Sequence, residues 1–161
     1  MDASFAAPAT APAPMQALHP LLERLVVETN AAVLDPQSFD AWAEQSGAAM
    51  LVFAEDPERF KETLDLAVIV PELHASFARR FRVALLPPAA SRALLPRYGF
   101  ARWPAFVMLR DGRYLGAIDG IRDWDVYVSE LERLLAAEPT RPPSVGIPVH
   151  AAGQPASPSC H

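Results

Sequence analysis

The period of the apolar positions changes repeatedly along this chain, and each change marks an element. From Gln16 to about Thr29, Leu18, Leu22, Leu25 and Val26 share one helical face, with Pro20 marking the start of the regular helix. Ala31 to Leu34 is a short apolar strand. Asp35-Pro36 predicts a helix start, because Asp caps free amides and Pro at the first helical position sacrifices no bond. Phe39, Trp42 and Ala43 form the inner face of that helix, and Gly47 ends it. Ala49 to Phe53 is a continuous apolar run suited to a central strand covered on both faces.

A polar loop from Glu55 to Asp65 follows, then Val68-Ile69-Val70 leads to Pro71, a second candidate first helical position. Leu73, Phe77, Ala78 and Phe81 give the helix after Pro71 a buried side, while Arg79, Arg80 and Arg82 load its C-terminal end favourably for the macrodipole. Val83 to Leu86 reads as another buried strand, and a short helix spans about Ala89 to Tyr98, strained near Pro96. Ala105 to Leu109 and Tyr114 to Ile118 flank Asp111-Gly112, which suits the positive φ angles of a two-residue hairpin turn. Asp123 is placed to cap a final helix carrying Trp124, Tyr127, Val128, Leu131, Leu134 and Leu135 at helical spacing. Trp42 and Trp124 are therefore core residues on this reading. Parallel βαβ units followed by a hairpin and a covering helix predict an α/β domain, a mixed central sheet with helices on both faces.

Composition bounds the rest. The 161 residues are 51% hydrophobic, enough for one domain at about 16–138 with loose ends at 1–15 and 139–161, the latter rich in Pro. Net charge is −5, and Arg supplies 13 of the 14 basic residues, which argues against general affinity for nucleic acid and for a cationic or neutral partner. No Lys or Arg precedes Arg24, and no apolar run approaches the roughly 20 residues of a membrane span, so neither a secretory signal nor membrane insertion is expected. The only cysteine is Cys160, and a chain without a disulfide pair fits the reducing cytoplasm.

Catalytic chemistry finds no foothold in these patterns. His19, His74, His150 and His161 are scattered, so no metal or other cofactor is expected. No hydroxyl sits in a nucleophile elbow, and no phosphate-binding glycine loop is present. The stretch from Tyr98 to Gly112 nevertheless reads as helix end, loop, proline, buried strand and tight turn, the ending of a thioredoxin. A disulfide exchanger needs an attacking thiolate and normally a resolving thiol, which this chain lacks outside Cys160.

Several stretches taken together resemble a known family: Phe53-Ala54-Glu55-Asp56-Pro57, Arg97 through Trp103-Pro104-Ala105, Asp111-Gly112, and Gly116 through Gly120-Ile121 to Trp124. In order and spacing, over roughly residues 31–137, they are similar to the HyaE/HupG/HoxO family of accessory proteins for NiFe-hydrogenase maturation, which have a thioredoxin-like fold without the Cys-x-x-Cys motif. Where that motif belongs, this sequence has Glu55-Asp56-Pro57-Glu58-Arg59. The resemblance implies a cytoplasmic, non-enzymatic chaperone that binds the hydrogenase small-subunit precursor and its twin-arginine signal peptide before export, with other hydrogenase accessory proteins as further partners. It also aligns Pro104 with the thioredoxin cis-proline, which implies a cis Trp103–Pro104 bond.

The candidate partner-binding residues are Glu55, Asp56, Glu58, Glu62 and Asp65, whose carboxylates suit a pair of arginines, and Arg102, Trp103 and Pro104, whose loop suits an extended peptide. A solvated acidic loop and a purely architectural proline are the competing readings of the same residues. The arginines at 79, 80, 82, 92, 97 and 102 read either as contacts for an acidic partner or as ordinary helix-end and surface charges. Two other functional classes stay open: a permanent adaptor in a larger assembly, and a thiol-dependent enzyme using Cys160.

Overall fold

The computed structural model describes residues 18–143. The segment 1–15, most of the tail from 139 onward, Cys160 and its neighbour His161 lie outside the described residues. Among the described residues, five helices and five strands follow in chain order: α1 Pro20–Thr29, β1 Ala32–Val33, α2 Phe39–Ala43, β2 Ala48–Phe53, α3 Leu66–Ser76, β3 Arg82–Leu86, α4 Pro88–Tyr98, β4 Ala105–Arg110, β5 Arg113–Asp119 and α5 Trp124–Ala136. A 3-10 segment, Lys61–Asp65, leads directly into α3.

The sheet order is β1-β3-β2-β4-β5, with β3 parallel to β1 and β2, and β4 antiparallel to β2 and β5. This is the thioredoxin-like α/β arrangement. β2 is central because every residue from Ala49 to Phe53 is fully buried. Its alternation divides the interior. Met50 and Val52 join Leu22, Leu25, Leu73, Tyr127 and Leu131 beneath α1, α3 and α5, while Ala49, Leu51 and Phe53 join Phe39, Leu94 and Tyr98 beneath α2 and α4. Each large strand side chain so removed from water contributes about 1.5–3 kcal/mol.

The hairpin after β4 forms as its sequence predicts, with Asp111 at φ 53° and Gly112 at φ 78°. Its tip is also latched to the turn before β2: Asp111 Oδ1 accepts from Gly47 N at 2.7 Å, and Asp111 N donates to Gly47 O at 3.0 Å. A Cβ on Gly112 would lie 3.1 Å from the Cα of Glu44, so space as well as φ reserves that position for glycine.

Several local expectations give way to tertiary packing. Pro71 does not open a helix; it lies inside α3, and Val68-Ile69-Val70 is helical rather than a lead into it. The buried positions Leu66, Ala67, Val70, Leu73 and His74 follow helical spacing, and burying that face outweighs both β propensity and the amide that Pro71 lacks. The helix stops at Ser76, because Ala78 and Arg79 take positive φ angles of 53° and 54°. Ala78 is exposed rather than buried. Arg82 does not load the helix end either. It opens β3 and lies over the Trp42 ring at 4.2 Å, donating to the carbonyls of Trp42 and Gln45. Trp42 is thereby only half-buried.

The helix expected from Pro36 starts at Phe39, since Asp35 Oδ1 accepts from the amides of Gln37 and Ser38 and closes a turn first. Asp123 holds the N-cap position of α5 with no side-chain bond to a helix amide. Trp124 is 43% exposed and so is not a core residue; it opens the first turn of α5, ahead of the buried positions Tyr127, Leu131 and Leu134.

His74 is buried against Phe81, with Nε2 donating to the Phe81 carbonyl at 2.9 Å. Burial holds its pKa below the ordinary histidine value, and the nearby Arg79 charge acts in the same direction, against the Phe81 bond. The unfolded chain takes up this proton near pH ~6.5 and the folded chain only at lower pH, so stability present above that value is lost as pH falls through it. Denaturant midpoints measured from pH 8 to 5 should decline below about 6.5 in the native chain and decline less in His74→Gln, which keeps an N–H donor but cannot charge. Gly112→Ala should lower stability by about 1–2 kcal/mol in the same assay, because alanine is strained at that φ.

Candidate functional site

Three chain segments converge at one end of the sheet. β2 and β4 pair with Phe53 opposite Ala105, and β4 and β5 pair with Ala105 opposite Asp119. The residues after Phe53, before Ala105 and after Asp119 therefore leave the sheet side by side. The Trp103–Pro104 peptide between the first two is cis, and Pro104 is buried.

Asp119 ties two of these segments together. Its Oδ2 accepts from the amides of Ala101 and Arg102 at 2.9 and 3.2 Å, and its Oδ1 pairs with Arg122 at 3.2 Å. Gly120 N donates to the Pro104 carbonyl at 2.8 Å, and the buried Tyr127 donates its hydroxyl hydrogen to the Gly120 carbonyl at 3.1 Å. Burial raises the Tyr127 pKa, with the Arg122 interactions acting against the rise and the Asp65 charge adding slightly to it.

An aromatic ladder supports the proline loop from inside. Trp103 meets Phe100 edge-on at 5.1 Å, Phe100 meets Phe53 at 4.8 Å, and Phe53 meets Tyr98 at 5.9 Å. Such edge-to-face pairs fix ring orientation as well as burying area. Trp103 is left half-buried at the surface end of the ladder, and Arg102 is exposed, its chain lying along Gly120.

The five acidic candidates fall into different environments. Glu55 is buried, and its Oε1 accepts from Asp56 N at 2.8 Å and pairs with Arg92 Nη1 of α4 at 2.5 Å. Asp56 is half-buried and accepts from Glu58 N through Oδ1, while its carbonyl accepts from Arg59 and Phe60. Those two carboxylates shape the loop. Glu58, Glu62 and Asp65 are exposed and form no ion pair among the described residues. The fold thus gathers the acidic segment, the Trp103–Pro104 loop and the start of α5 at one end, with Glu55 turned inward.

Asp119 and Arg92 were missed by sequence reasoning as members of this end. Counting back from the Asp111-Gly112 turn sets Ile118 opposite Ala105, and only the register shift between Met108 and Leu109 brings Asp119 there instead, so the turn by itself does not place it. The Glu55–Arg92 pair joins residues 37 positions apart, and no local pattern announces it. Among the described residues, no group of three or more His, Cys, Asp or Glu is placed to hold a metal, and no helix is long and apolar enough to cross a membrane.

Residues 21–127 match the family described as "Hydrogenase-1 expression protein HyaE". The chain is 44% identical over 147 residues to the hydrogenase expression/formation protein HoxO of Cupriavidus necator, covering 90% of each chain. It is 39% identical over 121 residues to HoxO of Azotobacter vinelandii, covering 75% of this chain and 81% of that one. A crystal structure assigned to hydrogenase expression/formation as hupG, from Rhodopseudomonas palustris, is 35% identical with a TM-score of 0.46, covering 65% of this chain and 95% of that one. By the extent of the family match and the identity to HoxO over nine-tenths of both chains, this chain belongs to the HyaE family of hydrogenase expression proteins.

Proposed function

We propose that this chain is a non-catalytic accessory protein in hydrogenase maturation that binds the small-subunit precursor through its twin-arginine signal peptide, in the cytoplasm and before export. One observation carries the reading. Where a redox thioredoxin holds its reactive thiols, at the end of the central strand beside the cis-proline, this chain holds carboxylates, and the family segment 21–127 contains no cysteine.

A twin-arginine signal joins two guanidinium groups to an apolar stretch. Glu58, Glu62 and Asp65 offer exposed negative charge, and Ile121 and Val126 offer exposed apolar surface at the same end of the molecule. Exposed charges of this kind set encounter rate and orientation, whereas apolar contacts hold the bound state. The chain's net charge of −5 favours approach of a cationic segment. The Trp103–Pro104 loop supplies backbone beside this surface, suited to an extended peptide.

Calorimetric titration with the small-subunit precursor, and with the same subunit lacking its signal peptide, tests the reading. Binding should require the signal peptide; equal binding of both forms, or of neither, would falsify it. Joint reversal of Glu58, Glu62 and Asp65 to Lys should weaken precursor binding about tenfold or more at low ionic strength and less at high salt. Glu55→Ala should behave differently, lowering folding stability by roughly 1–3 kcal/mol because the Asp56 amide and Arg92 lose their shared acceptor.

A further inference from the structure

We infer that the first turn of α5 is an arginine-binding platform, with the Trp124 ring as its stacking face and Asp123 and Asp125 as its carboxylates. This rests on the precursor-binding reading and names where the twin arginines seat.

Six large apolar side chains are exposed among the described residues, and three of them, Ile121, Trp124 and Val126, fall within a single stretch of six. Helical spacing sets Trp124 on the side of α5 that carries Val128 and Leu135. Those two pack against the core beneath α1, α3 and α5, yet Trp124 extends past that core and remains 43% exposed. An indole this exposed leaves ring surface that a partner can cover.

The unpaired charges that adjoin it in sequence are of one sign. Asp123 and Asp125 are exposed and form no ion pair among the described residues, and the Asp123 carboxylate makes no bond to a helix amide. The cations nearby in sequence are already occupied, Arg122 by Asp119 and Arg133 by Glu130. A cationic partner therefore meets two unpaired carboxylates that flank the exposed indole in sequence.

A pair elsewhere in the molecule illustrates the geometry an arginine offers an indole. At the opposite end of β2, Arg82 lies over Trp42 at 4.2 Å, while the edge of its guanidinium donates to the Trp42 and Gln45 oxygens. A planar guanidinium satisfies the ring face and edge acceptors at once, which a lysine ammonium cannot. Trp42 is filled by its own chain's arginine; among the described residues no arginine covers Trp124. Ile121, exposed just before it, offers apolar surface to the residues that follow the arginines.

The test is calorimetric titration of the full chain with the small-subunit precursor, comparing Trp124→Ala, Trp124→Phe and the Asp123→Asn/Asp125→Asn double variant, with a second precursor carrying Lys at both arginines. Trp124→Ala should weaken binding about tenfold and Trp124→Phe less. The lysine precursor should bind native chain and Trp124→Ala alike, a pattern that general loss of structure does not produce. Native affinity in both Trp124→Ala and the double Asn variant, for a precursor the native chain binds, would overturn the platform and leave the precursor-binding reading standing. Absence of precursor binding by the native chain would overturn both.

Discussion

Burial of β2 on both faces is the constraint on which everything else depends. A strand with polar alternation tolerates solvent on one side; Ala49-Met50-Leu51-Val52-Phe53 does not, and it must sit between neighbours with a helical layer above and below. That requirement places β3 and β4 at its flanks and splits the helices into two sets. It also fixes the end of the sheet that carries the candidate site, because the chain leaving Phe53 emerges beside the chain entering Ala105. The site is a consequence of strand pairing before it is a matter of loop chemistry.

The loops at that end are organised by buried or half-buried polar groups. Asp119 holds the amides before the cis-proline and the guanidinium after β5, so one carboxylate sets the spacing between the Trp103 loop and the approach to α5. Tyr127 reaches back from α5 to Gly120 and closes the same corner. Glu55 performs the corresponding task after β2 by capping the Asp56 amide and pairing with Arg92. Buried donors and acceptors need partners, and these bonds supply them where three irregular segments meet.

The acidic and basic residues thus divide by depth. Glu55, Asp119, Arg82 and Arg110 are enclosed wholly or in part and join elements far apart in sequence, Arg110 by donating to the carbonyls of Leu135 and Ala137 at the end of α5. Glu58, Glu62, Asp65, Asp123 and Asp125 remain at the surface, where charge contributes little to the fold. The thioredoxin frame is kept while the groups at its working end are replaced, which is how one fold serves unrelated tasks.

The sequence by itself determined the strands, the Asp111-Gly112 hairpin, the amphipathic face of α5 and the family resemblance, because each rests on periodicity or on a residue type that its local geometry requires. It misassigned Val68-Ile69-Val70 and Pro71, since short apolar runs carry the same signal in a helix as in a strand and only the packing of Leu66, Val70 and Leu73 decides between them. It placed Trp124 in the core because helical spacing reveals a side of a helix but not where along it burial begins. It presented Glu55 and Glu58 as equals. Only the tertiary structure separated them, by bringing Arg92 of α4 against one carboxylate and leaving the other in water, a distinction made by contacts across 37 residues that no local pattern encodes.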